Sequence, residues 1–268
     1  MTVARIERLF AAVSAEKRPA LVAYLCVGDP SVEDSIACAL AALEAGADML
    51  ELGVPFSDPT ADGPVIAAAA YRAIQNGGSL RAALAVAAAV RKKSDAPLVL
   101  FTYYNPIIAF GEDRLAAAAR EAGVDAFLVV DLPPEEGRAL RESVKAAELA
   151  FIPLLAPTSD TAREDIAFSM ASGFVYYVSM TGVTGAAGVS MEEATGRANA
   201  LRDRVMLPVV VGFGIDSREK ARIARDRGVS GIAVGTAIVK AIAGGKDTAE
   251  RTLAVSKLIR ELRAGLSP

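Results

Sequence analysis

Residues 45–53, Ala45-Gly46-Ala47-Asp48-Met49-Leu50-Glu51-Leu52-Gly53, carry a helix end, a glycine and an apolar strand in one short run. The same order returns in Ala122-Gly123-Val124-Asp125, ahead of the apolar run Ala126–Asp131, and in Arg227-Gly228-Val229-Ser230, ahead of Gly231–Val234. Glycine just past a helix adopts the left-handed conformation that ends it, so each repeat marks a helix handing over to a strand. Outward from these three points, further strand-like runs lie at Ala20–Val27, Asp48–Gly53, Pro97–Tyr103, Phe151–Ala156, Phe174–Ser179 and Pro208–Gly212. Between them, helical periodicity marks Ser31–Ala45, Leu80–Lys92, Arg114–Ala122, Pro134–Ala147, Thr161–Ala171, Met191–Asp203 and Arg218–Arg227.

Near-continuous apolar strands separated by helices imply a parallel sheet buried on both faces. Eight such units in 268 residues predict an α/β fold closed as a (β/α)8 TIM barrel rather than an open sheet. Val3–Ala15 is expected as an extra N-terminal helix covering the barrel's bottom, and Pro64–Gln75 as an extra helix in the second βα loop. No Pro/Ser-rich linker or composition shift divides the chain, so residues 1–268 are read as one domain.

Composition removes several function classes. The 29 basic and 32 acidic residues are mixed along the chain and leave a net charge of −3, with no basic stripe for nucleic acid. No apolar run approaches the roughly 20 residues of a membrane helix. Met1–Arg8 lacks the apolar stretch of a signal peptide, which implies a cytoplasmic chain. Cys26 and Cys38 are too few for a disulfide framework and read as small buried hydrophobes. The chain has no histidine, so imidazole catalysis, Ser-His-Asp schemes and the usual zinc sites are unavailable, and no metal is expected. Proton transfer falls to Asp, Glu, Lys, Tyr or Cys.

Barrel chemistry collects where strands end. In the second strand, if Leu50 and Leu52 pack outward, Glu51 points into the barrel. A carboxyl among apolar walls has a raised pKa, suited to a general acid or base near neutrality. Asp62, in the loop that follows, reads on its own as a cap for the helix from Pro64, though its spacing lets it share a pocket mouth with Glu51. Glycine turns at Gly212-Phe213-Gly214-Ile215 and Gly235-Thr236, the second followed by a short segment Ala237–Ala241, suit the phosphate cradle that barrels build after strands seven and eight. The Gly-rich loop 181–188 reads as a lid. Tyr24, Phe101, Tyr103 and Phe213 lie near strand ends and suggest a flat apolar ligand group; Tyr176 or Tyr177 could join them, and strand parity does not say which. No lysine ends a strand, which removes Schiff-base aldolase chemistry.

The run Glu51-Leu52-Gly53-Val54-Pro55-Phe56-Ser57-Asp58-Pro59-Thr60-Ala61-Asp62-Gly63-Pro64, with Gly28-Asp29-Pro30, Gly182-Val183-Thr184-Gly185, Gly212-Phe213-Gly214-Ile215 and Gly235-Thr236, resembles the tryptophan synthase alpha chain family, along essentially the whole chain. The resemblance implies cleavage of indole-3-glycerol phosphate to indole and glyceraldehyde 3-phosphate. It implies Glu51 and Asp62 as catalytic carboxylates, with Tyr176 as the pocket tyrosine beside them. It further implies an indole pocket of Tyr24, Phe101, Leu128 and Phe213, which Tyr103 joins from the aromatic pattern, and phosphate binding by Gly185, Gly214, Gly235 and Thr236. Asp58 and Thr184 correspond to the pair that closes the lid. Familiar members carry Phe where Tyr24 stands and Thr where Cys26 stands, a difference at the pocket floor. The family docks on a pyridoxal-phosphate beta chain, in an α2β2 assembly with an indole tunnel. Pro55–Asp62 and the turn near Asn105-Pro106 would face that partner, and this chain would hold no cofactor of its own. Two further readings stay open on sequence: a stand-alone lyase releasing free indole, and a non-catalytic barrel subunit. A phosphosugar isomerase using Cys26 is a third.

Overall fold

The computed structural model describes residues 3–178 and 190–268. The strands are β1 Ala20–Cys26, β2 Met49–Gly53, β3 Leu98–Thr102, β4 Ala126–Val129, β5 Ala150–Ile152, β6 Leu154–Leu155, β7 Val175–Val178, β8 Val209–Gly212 and β9 Gly231–Val234. The first helices are α1 Val3–Ala15, α2 Val32–Glu44, α3 Pro64–Gln75, α4 Leu80–Arg91, α5 Tyr104–Phe110 and α6 Glu112–Glu121. They are followed by α7 Arg138–Ala146, α8 Thr161–Met170, α9 Met191–Val205, α10 Arg218–Asp226, α11 Thr236–Gly244 and α12 Thr248–Leu266.

All the pairings are parallel, in the order β5-β4-β3-β2-β1-β9-β8-β7-β6. The two ends of that order, β5 and β6, are consecutive pieces of one run, split at Pro153. Proline has no N–H for the ladder, yet the Pro153 carbonyl still accepts from the Tyr176 amide at 3.0 Å. Eight sequence units therefore make a (β/α)8 barrel that closes through this kink, as expected. The fifth strand is broken at Pro153, where an unbroken Phe151–Ala156 was expected.

Strand parity separates two layers. Leu21, Leu25, Leu50, Leu52, Leu98, Leu100, Val209 and Val211 pack outward against the helices. Ala20, Val22, Met49, Val99, Leu128, Ile152, Tyr176 and Val210 form the interior. Ile6, Phe10 and Val13 of α1 join that interior cluster from below, so the N-terminal helix plugs the bottom as expected. Each such buried side chain contributes roughly 1.5–3 kcal/mol.

Local chemistry sets the boundaries. Ser31, Ser79, Asp160, Ser190, Ser217 and Asp247 cap their helices through side-chain oxygens. Gly46, Gly123 and Gly228 stand at φ 112°, 81° and 71°, the left-handed helix stops read from the repeat. The extra helix Pro64–Gln75 is present as α3.

Other expectations need correcting. Tyr103 lies past the end of β3 and caps α5, and Asn105-Pro106 is the first turn of that helix rather than a turn of its own; proline is tolerated there because first-turn amides have no helical acceptor. The segment after Gly235 is the nine-residue α11, not five residues, and the nineteen-residue α12 was not anticipated. No helix among the described residues is long and apolar enough to cross a membrane.

Candidate active site

Glu51 occupies the interior face of β2, in register with Tyr24 of β1 and Val99 of β3. Its outward neighbours Leu50 and Leu52 fix this orientation by packing against the helical layer. The carboxyl is 1% exposed, and its Oε1 has no hydrogen-bond partner among the described residues. Among the described residues no cation pairs with it, and burial pushes its pKa up to about 8.

Two glycines make room for the tyrosines beside it. A Cβ on Gly53 would lie 2.3 Å from the Tyr24 hydroxyl, and one on Gly212 would lie 2.7 Å from that of Tyr176. Both tyrosines thus point inward, which decides between Tyr176 and Tyr177: the latter belongs to the outward layer. Phe101 stands between the two rings, with centroids 5.2 Å from Tyr24 and 6.5 Å from Tyr176, edge-on to each. Leu128 is in register with Phe101 and fully buried in the same interior. Burial holds both tyrosine hydroxyls well above their ordinary pKa, so they stay neutral. Cys26 follows on β1, its thiol pushed up to about 12 by burial and equally neutral.

Asp62 is not the cap of α3. Gly63 holds that position without a side-chain bond, and the Asp62 Oδ2 instead accepts from the Tyr103 hydroxyl at 3.0 Å. The same hydroxyl accepts from the Ala61 amide at 3.0 Å, and Phe56 packs on the Tyr103 ring at 5.1 Å. Burial raises the Asp62 pKa, opposed by the Tyr103 hydrogen bond. Asp58, earlier in the loop, is exposed.

Gly214 and Gly235 follow the register pair Gly212 and Ala233 by two residues, so both turns leave adjacent strands at the same end. Gly235 caps α11 and Thr236 is its first residue, which turns helix-terminal amides toward the barrel mouth. Phe213 is half-buried against the outward layer rather than in the interior aromatic group. Thr184 and Gly185 lie outside the described residues.

One element of the site was not foreseen. Arg72, in the last turn of α3, donates to both carboxylate oxygens of buried Asp29, at 2.9 and 2.7 Å. Gly28 and Gly78 are so closely packed that a Cβ on Gly28 would come 2.5 Å from the Gly78 Cα. This clamp lays Ala69, Ala70 and Ala73 of α3 over Tyr24, Cys26 and Val239 of α11. Only Gly28-Asp29-Pro30 signalled it in the sequence; the partner Arg72 is 43 residues away.

The site thus joins a buried acid, aromatic rings and glycine turns at one end of the barrel. A family profile described as "Tryptophan synthase alpha chain" matches residues 10–266. The chain belongs to the tryptophan synthase alpha chain family. The tryptophan synthase alpha chain of Geobacter sp. (strain M21) is 44% identical over 239 residues, 89% of each chain. Among solved structures, tryptophan synthase subunit alpha from Legionella pneumophila str. Paris superposes with a TM-score of 0.90 at 31% identity, covering 98% of both chains. A tryptophan synthase structure from Mycobacterium tuberculosis gives 0.90 at 33% identity over 98% of each. The reaction of the tryptophan synthase alpha chain family is a carbon–carbon lyase step, the cleavage of indole-3-glycerol phosphate, and its partner is a beta chain.

Proposed function

We propose that Glu51 and Asp62 carry out this cleavage, releasing indole and glyceraldehyde 3-phosphate at the upper end of the barrel, as a stage of tryptophan biosynthesis. The observation that carries the reading is Glu51, an acid buried on the interior face of β2 with no cation beside it among the described residues; burial raises its pKa to about 8, so it holds its proton at neutral pH. Glu51 gives that proton to indole C3, forming a cationic indolenine. The resulting carboxylate then takes the proton of the glycerol hydroxyl next to the ring. The C–C bond breaks, its electrons flow into the C=N bond, and Glu51 ends protonated as it began.

Asp62 accepts the indole N–H and stabilises the positive charge that develops there. The Tyr103 hydroxyl orients it, a bond that local sequence pattern does not disclose. Tyr176 positions the substrate beside Glu51, Tyr24, Phe101 and Leu128 enclose the ring from the barrel interior, and Tyr103 and Phe213, just past their strands, border it. Backbone donors at Gly185, Gly214, Gly235 and Thr236 hold the phosphoryl group, and Asp58 with Thr184 closes the site. Residues 1–268 act as one cytoplasmic domain, in an α2β2 assembly whose beta chain holds pyridoxal phosphate. The loop of Asp58 and helix α5 face that chain.

Assay of indole-3-glycerol phosphate cleavage tests the reading. Glu51→Gln is nearly isosteric but cannot shuttle the proton, and turnover falls by about 10²–10⁴-fold while inorganic phosphate still binds. Wild-type turnover in this variant would refute the mechanism. Large activation on adding the beta chain is the expected mark of a synthase subunit, and full activity without it would mark a stand-alone lyase.

A further inference from the structure

The turn after β8 carries a charge pair that the mechanism above leaves unused. Lys220, in the first turn of α10, extends its Nζ to the Gly214 carbonyl at 3.3 Å and to the Asp216 carboxylate at 3.0 Å. Gly214 is exposed at φ 63°, and nothing lies within 4 Å of where its Cβ would be, so this side of the turn is open. Asp216 therefore puts a carboxylate two residues from an amide assigned to a phosphoryl dianion. Like charges at such a separation repel through water and weaken binding. Lys220 is partly exposed, at 42%, and its bond to the Gly214 carbonyl keeps the ammonium at the turn rather than out in solvent.

We infer that Lys220 neutralises Asp216 at the rim of the phosphate cradle, so that the pair sets the affinity and selectivity of the site for a phosphomonoester. The inference rests on the phosphate end of the proposed substrate site. It supplies a cation where backbone amides alone would meet the dianion. With the pair intact the rim is neutral. Lys220→Gln leaves one negative charge there, Asp216→Asn one positive charge, and the double variant is neutral again.

The test is a cycle of these three variants in the full chain, with inorganic phosphate as the probe ligand and substrate kinetics alongside. Lys220→Gln is expected to weaken phosphate binding and raise KM by about fivefold, with the change in KM rather than kcat. Asp216→Asn shifts both in the opposite direction, the double variant returns to within about twofold of wild type, and Lys220→Arg behaves as wild type. The differences shrink at high salt, because exposed charges are screened. Unchanged phosphate affinity in both single variants, or shifts of the same sign, would make the pair an ordinary surface bridge and overturn the inference. Phosphate that fails to bind wild type would remove the cradle and the inference together. Glu51→Gln run in parallel keeps the two proposals apart: normal turnover there sinks the acid–base reading, while phosphate affinity still judges Lys220.

Discussion

Two carboxyls buried to the same depth lie at opposite ends of the barrel and are treated in opposite ways. Asp125, below β4, is fully buried and receives Arg5 at 3.0 Å, Arg91 at 2.7 Å and the Leu98 amide at 2.8 Å. Glu51, on β2, is as deeply buried and has no cation beside it among the described residues. Burial raises both; at Asp125 the Leu98 amide and the two arginines offset part of the rise and give the carboxylate partners, whereas at Glu51 burial acts alone. Asp48, also at the bottom, repeats the first pattern, taking both arms of Arg18 at 2.7 and 2.9 Å. The lower end is built to hold charge and so to tie α1 and the αβ loops together. The upper end is built to hold a proton.

The contrast can be broken at either end. Asp125→Ala takes from Arg91 its buried carboxylate and leaves Arg5 only the exposed Asp95, 3.5 Å away, and unfolding in urea should show a loss of about 3–5 kcal/mol. Turnover per folded molecule should survive. Unchanged stability would mean that the lower pairs are ornamental and the comparison empty.

A smaller effect sharpens the upper end. The Glu51 carboxyl titrates near 8 in the folded chain against an ordinary 4.5. As pH rises between these values the unfolded chain gives up this proton first, so it binds fewer protons than the folded chain and stability falls. The penalty is absent below the ordinary value and complete above the folded one. Glu51→Gln lacks this titration, so its stability relative to wild type should grow by about 3 kcal/mol from acid pH to neutrality. A pH-independent difference would show that Glu51 is not held protonated.

Most of the barrel was legible because its signals are local. Alternation along Met49–Gly53 turns Glu51 inward, and a glycine after α2, α6 and α10 marks the strand that follows. What was not legible depends on residues distant in sequence. Asp62 reads as a cap because Gly63 and Pro64 follow it, yet its partner Tyr103 stands 41 residues away. The Asp29–Arg72 clamp spans 43 residues and leaves no periodic trace. Tyr176 and Tyr177 alternate on one strand, and only the packed layers tell inward from outward. Pro153 breaks a strand whose apolar run looks continuous, because the break comes from a missing amide rather than from polarity. Lys220 and Asp216 have the i,i+4 spacing of any helical pair, and only the bond to Gly214 sets them apart.

The most direct measurement is a carbon-13 NMR titration of glutamate side-chain carboxyls, with the Glu51→Gln spectrum subtracted from that of wild type to isolate position 51. A midpoint near 8 is predicted, with the group still protonated at neutral pH. A midpoint at or below the ordinary 4.5 would mean a carboxylate already charged inside the barrel, and the proton-holding role assigned to it could not stand.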